Sequence, residues 1–184
     1  MKTGWVIAFI FGIGVAYVVI HNNKQTNMTV RQKLLRTFYP LIMKGASKKI
    51  IDNKDQAIPL EDFYAKSVTL NDGSVLKMDS LKGKKVMIVN VASDCGFTAQ
   101  YESLEKIYRE NKDRLVVIGF PANDFKNQEK KSDAEIGSFC KKNYGVTFPI
   151  AKKGIVINDK DQQPIYKWLT HKNINGWNDQ SPTW

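Results

Sequence analysis

Two cysteines bound the chemistry that this chain can perform. Cys95 lies in Asn90-Val91-Ala92-Ser93-Asp94-Cys95-Gly96-Phe97-Thr98. An apolar run, Val86-Met87-Ile88-Val89, precedes it and reads as a buried strand. Tyr101, Leu104, Ile107 and Tyr108 follow at helical spacing. The cysteine therefore stands where a strand gives way to a helix. Unpaired N–H groups at a helix start stabilise negative charge, so a thiol there is expected to have a lowered pKa and raised reactivity. The second cysteine, Cys140, is 45 residues on, so there is no C-x-x-C pair. Neither His21 nor His171 is near a cysteine in sequence, and no His/Cys/Asp cluster has metal-ligand spacing. Cys140 shares an apolar helix face with Ile136, Phe139 and Tyr144, where a buried cysteine needs no chemical role.

The elements that must position Cys95 are legible around it. Phe63–Leu70 and Ser74–Met78 flank Asn71-Asp72-Gly73, a hairpin signal. Lys85–Val91 and Leu115–Phe120 read as buried strands joined by a helix over Thr98–Glu110, with Thr98 as its N-cap. That is a βαβ unit with parallel strands. Pro121 to Phe125 forms a loop. Ser132-Asp133-Ala134-Glu135 is a capping box, and Gly145 suits the end of the helix it starts. Ile155-Val156-Ile157 suggests a further strand, Pro164–Leu169 a short helix, and residues 171–184 loop. A hairpin leading into βαβ, with cysteine at the first turn, suggests an α/β domain with a thioredoxin-like fold, although pattern alone does not single out that fold.

The charge is uneven. The net +10 comes from nine Lys/Arg against two Asp over residues 1–60, and nineteen against sixteen Asp/Glu over 61–184. The basic character belongs to the N-terminal arm, which argues against a nucleic-acid-binding domain and for proximity to a membrane. Gly4 to Ile20 carries no charge, and seventeen residues is the short end of a membrane span. Residues 1–27 are thus expected to be an uncleaved membrane anchor. Lys24, Arg31, Lys33 and Arg36 outnumber Lys2 and place the following domain on the cytoplasmic side. Residues 28–59 read as a basic helix interrupted at Pro40, then a linker from Asp52 to Pro59. Val30, Leu34, Leu35 and Phe38 make the apolar face of that helix. It is either a lipid-surface helix or a spacer. Residues 60–184 form the domain.

The domain resembles the glutathione peroxidase family. The motifs that carry the resemblance are the Cys95 segment, Gly119-Phe120-Pro121-Ala122-Asn123-Asp124-Phe125, Gln128-Glu129, and Asn143-Tyr144-Gly145-Val146-Thr147-Phe148-Pro149. The resemblance implies a thioredoxin-like fold and reduction of hydrogen peroxide or organic and lipid hydroperoxides. It makes Cys95 the peroxidatic residue, in the thiol rather than the selenocysteine branch. Gln128 matches the glutamine that hydrogen-bonds the reacting sulfur, and Trp184 matches the family tryptophan. Phe139-Cys140-Lys141-Lys142-Asn143-Tyr144-Gly145 resembles the helix that carries the resolving cysteine of thioredoxin-dependent relatives. No cofactor is implied. The resemblance implies a peroxide and thioredoxin as reductant (glutathione less favoured) as partners, and the N-terminal segment adds membrane lipid as an expected partner. Ala122 stands where many relatives have cysteine. The family's tetrad asparagine, a strand and a last helix are expected beyond Trp184, so the domain is read as C-terminally short. The competing expectation is a membrane-tethered module without activity.

Overall fold

The computed structural model describes residues 28–44 and 50–182, together with Gly12, Gly14 and Tyr17, with the side chains of 39–44 excepted. Helix α1, Val30–Lys44, comes first. Strands β1 (Ser67–Thr69) and β2 (Val75–Lys77) pair antiparallel around Gly73, whose φ of 87° suits glycine at this turn. Strands β3 (Lys85–Val91) and β4 (Leu115–Pro121) pair in parallel along their full length, Lys85 opposite Leu115 and Val91 opposite Pro121. Helix α2, Gln100–Glu110, makes the crossover. Val117, Ile118 and Phe120 are fully buried, as expected for a parallel strand covered on both faces.

Residues 149–151 join the two strand pairs. Gly119 donates to the Pro149 carbonyl, Ala151 donates back to the Gly119 carbonyl, and Leu70 bridges to Ala151. The sheet passes close at Gly119: a Cβ there would lie 2.9 Å from Ile150 Cδ1 and 3.3 Å from Phe148 Cε2, so a larger residue would push those side chains aside. Helix α3, Asp133–Tyr144, starts on the expected capping box. Such a cap stabilises a helix by about 1 kcal/mol. It ends on Gly145 with φ 63°. Helices α4 (Pro164–Thr170) and α5 (Lys172–Asn175) follow.

Several expectations are corrected. The helix predicted from Thr98 starts at Gln100, after a turn. Thr98 does not cap it; the N-cap is Ala99, with no side-chain bond. Residues 155–157 form no strand, only a bridge from Ile155 to Gln162. Residues 172–175 are helical rather than loop. Helix α1 continues through Pro40 to Lys44.

The membrane-spanning helix expected over 4–20 is not supported. No helix among the described residues is long and apolar enough to cross a membrane, and most of that segment lies outside them. One side of α1 packs on the domain. Val30 and Phe38, expected on its apolar face, are exposed, whereas Met28 and Gln32 are buried against the domain. Met28 packs in the cluster that contains Tyr101, Val117, Ile136 and Cys140.

Candidate active site

The Cys95 turn is held almost entirely by short hydrogen bonds. The Phe97 N–H donates to Cys95 Sγ at 3.2 Å. The Cys95 N–H donates to Thr98 Oγ1 at 3.0 Å, and the same hydroxyl lies 2.7 Å from the Cys95 carbonyl and 2.9 Å from the Ala92 carbonyl. The threonine read as a helix cap therefore closes the cysteine turn. That use of its hydroxyl explains why α2 begins two residues later.

The loop that follows β4 meets this turn. Asp94 donates its N–H to the Gln128 carbonyl at 3.0 Å. Ser93 donates both its N–H and its hydroxyl to Glu129 Oε2, at 2.7 and 2.8 Å. Lys126 and Asn127 both adopt positive φ, 55° and 53°, a conformation that L-residues rarely take. Asn123 supports them: its Nδ2 donates to Asn127 Oδ1, and its Oδ1 accepts the Glu129 N–H. Backbone held in a sparsely populated conformation next to a nucleophile is a common feature of functional sites. Gln128 Oε1 is buried and makes no hydrogen bond. A cleft of about 350 Å³ runs between α1 and this loop, lined by Arg31, Gln32, Asp94, Gln128, Lys130 and Lys131.

The electrostatics differ from the sequence-based expectation. Cys95 is 7% exposed, and its pKa is pushed up to about 11. Burial is the main cause; the Phe97 N–H opposes it, Asp94 reinforces it and Arg31 opposes it. The helix start that was to lower the pKa lies five residues away, at Gln100, and the dipole effect fades within a turn. At neutral pH this conformation holds the protonated thiol.

Cys140 lies just before the last turn of α3, 1% exposed, with its pKa pushed up to about 12 by burial and the Tyr101 hydroxyl acting against that shift. Both thiols are free. The structure thus brings Cys95 and Gln128 together through Asp94 and sets Cys140 against Tyr101 on another element. Trp184 lies outside the described residues. No group of three or more His, Cys, Asp or Glu among the described residues could hold a metal ion.

The family model described as Glutathione peroxidase matches residues 63–170. The chain belongs to the glutathione peroxidase family. Glutathione peroxidase-like peroxiredoxin HYR1 of Saccharomyces cerevisiae is 50% identical over 111 residues, 60% of this chain and 68% of that one. Glutathione peroxidase-like peroxiredoxin gpx1 of Schizosaccharomyces pombe is 48% identical, over 60% of this chain and 70% of that one. Among solved structures, Trgpx in its apo form aligns at 37% identity over 61% of this chain and 66% of that one, with a TM-score of 0.46. The chain spans about two thirds of the length of these relatives. It is a thiol-branch member and a peroxidase oxidoreductase.

Sequence reasoning gave no role to Glu129, Asn123 or Gln32. Glu129 and Asn123 stand inside the quoted family motifs. Thr29-Val30-Arg31-Gln32 has the capping-box pattern that would have marked the start of α1.

Proposed function

We propose that this chain reduces hydrogen peroxide or organic and lipid hydroperoxides through Cys95, with Cys140 as resolving thiol and a thioredoxin-type dithiol as final reductant. The observation that carries the reading is the Cys95 turn itself: a buried sulfur that already accepts a backbone N–H, on a turn tied directly to Gln128. Cys95 attacks one peroxide oxygen, and the O–O bond breaks. The sulfur becomes a sulfenic acid, and the other oxygen leaves as water or alcohol once protonated. Donors near the sulfur stabilise charge as it develops. The Phe97 N–H is one. The Gln128 amide and the Trp184 indole are assigned by the family resemblance as the others.

The thiol proton must leave before attack, since burial disfavours the thiolate. Cys140 then attacks the Cys95 sulfenic sulfur, a disulfide forms and water departs. That step needs the two sulfurs, carried on separate elements, to come within bonding distance, and in this reading the C-terminal end of α3 opens to allow it. Glutathione is the less favoured reductant because a candidate resolving thiol is present.

The test is intact mass and non-reducing digestion of purified protein after one equivalent of hydrogen peroxide. The expected product has lost two hydrogens and links Cys95 to Cys140. Oxidised Cys95 with Cys140 still free would remove the resolving role. Unreacted Cys95 would overturn the reading as a whole.

A further inference from the structure

Gln32 is 4% exposed and belongs to a helix outside the residues that the family model matches. It performs two tasks at once. Its Oε1 accepts the Thr29 N–H at 2.8 Å, while its own N–H donates to Thr29 Oγ1 at 3.2 Å. That is a reciprocal cap for α1. With the oxygen so used, the amide nitrogen faces the other way and donates to the Ser93 carbonyl at 2.7 Å. The Thr29 donor and the Ser93 acceptor together fix which end of the amide is which.

Ser93 is 1% exposed, and each of its polar groups has a partner: the N–H and hydroxyl on Glu129, the carbonyl on Gln32. The next residue, Asp94, is held by Gln128 and by the Arg31 guanidinium. Further along α1, Arg36 pairs with Glu102 and sits over the Tyr144 ring, and Leu35 approaches Gly96.

We propose that Gln32 is a positioning residue for the peroxidatic step. It acts through the Ser93 carbonyl, and so fixes the turn that carries Cys95 and is tied through Asp94 to the Gln128 carbonyl. This rests on Cys95 being the peroxidatic residue. Small displacements of a reacting atom reduce rates strongly, by up to about 10²-fold per ångström. A buried carbonyl deprived of its donor has every reason to move.

Gln32→Glu separates this role from simple helix capping. The carboxylate still accepts the Thr29 N–H, so the cap survives. Its second oxygen faces the Ser93 carbonyl without a proton and repels it. When protonated, that oxygen donates again. The charged and titratable groups around it are Arg31, Asp94, Lys130 and Lys131 at the cleft, with Glu129 across Ser93. The variant-to-wild-type ratio cancels titration common to both proteins, and the uncharged Gln32→Met variant separates loss of the donor from the effect of an added carboxylate on Cys95.

The measurement is the rate of Cys95 sulfenic acid formation with hydrogen peroxide, by quenched intact mass on the full chain from pH 5 to 8. Gln32→Glu is expected to be about 10-fold slower than wild type at pH 8, with the deficit closing toward pH 5. Gln32→Met, similar in length but without a donor, is expected to be slow at every pH, and serves alone if the glutamate variant does not fold. Thr29→Ala, which weakens the cap and keeps the amide, is expected within about twofold of wild type. Glutamate or methionine variants as fast as wild type would overturn the proposal. So would a glutamate deficit that is the same at every pH. A wild-type Cys95 that does not react would instead overturn the function itself.

Discussion

The turn that carries Cys95 and the helix that carries Cys140 bury their thiols to similar depth, at 7% and 1% exposure, by different means. Cys95 sits in irregular backbone between β3 and α2. Its neighbours' polar groups are spent on holding that turn: Thr98 on the Cys95 N–H, Gln128 on Asp94, Glu129 and Gln32 on Ser93. Cys140 sits in regular helix, and its carbonyl is part of the helix end. The Val146 N–H donates to it at 3.3 Å, and the Gly145 N–H donates to Lys141 at 3.0 Å. Beyond that cap, Thr147 is pinned by its N–H and hydroxyl to Glu105 of α2. One thiol is thus held in irregular backbone by side-chain hydrogen bonds. The other sits near the C-terminal end of a regular helix, between two secured points, Ser132 and Thr147.

The comparison breaks most sharply if the two thiols are removed in turn. Cys95→Ser is expected to abolish peroxide consumption, leaving only the uncatalysed background. Cys140→Ser is expected to keep the first oxidation at wild-type rate within about twofold and to stop at the sulfenic acid. Steady-state turnover with a dithiol protein reductant then falls by at least about 10-fold. Rapid quench and steady-state assays separate the two effects; equal losses in both phases for Cys140→Ser would mean that Cys140 supports the core rather than the cycle.

A gentler variant sharpens the same contrast. Gly145 adopts the left-handed conformation with open space where a Cβ would go, so Gly145→Ala adds backbone strain without a clash. The expected destabilisation is about 1 kcal/mol, with Tm lowered by about 2–4 °C. Because the strain is relieved when the last turn of α3 opens, Cys95–Cys140 disulfide formation after oxidation is expected to accelerate about fivefold. Sulfenic acid formation should not change. A slower disulfide step would show that resolution does not pass through opening of this helix end.

What was legible in the sequence follows the range of the forces involved. Lys85–Val91, Leu115 onward, the Ser132 capping box and the Gly145 stop are set by neighbours within a few residues, and each is found where its pattern placed it. Thr98 was misread because one hydroxyl has two possible local uses, and the cysteine turn won over the helix cap. The orientation of α1 was not legible. The ends of its apolar stripe, Val30 and Phe38, are exposed while Leu34 and Leu35 are half-buried, and the buried side includes the polar Gln32, whose partner Ser93 is 61 residues distant. The raised pKa of Cys95 was hidden for the same reason, since burial comes from packing that no local pattern records.

The smallest effect concerns that pKa. The Asp94 carboxylate disfavours the Cys95 thiolate, and the Arg31 guanidinium, paired with Asp94, favours it. Asp94→Asn removes the first and leaves the second without its ion-pair partner, so both changes lower the Cys95 pKa from about 11. Burial, the dominant cause, remains, so the midpoint should stay above that of an ordinary thiol. Both side chains are partly exposed, at 59% and 41%, so solvent and salt screen the effect. The expected result is that Cys95 alkylation at pH 8 in low salt becomes about threefold faster, with the gain shrinking at high ionic strength. Cys140, shielded within α3, should alkylate at its wild-type rate, which makes it the internal control. An unchanged Cys95 rate would mean that burial alone sets its reactivity. The route to a more reactive Cys95 would then lie in uncovering the turn rather than in recharging it.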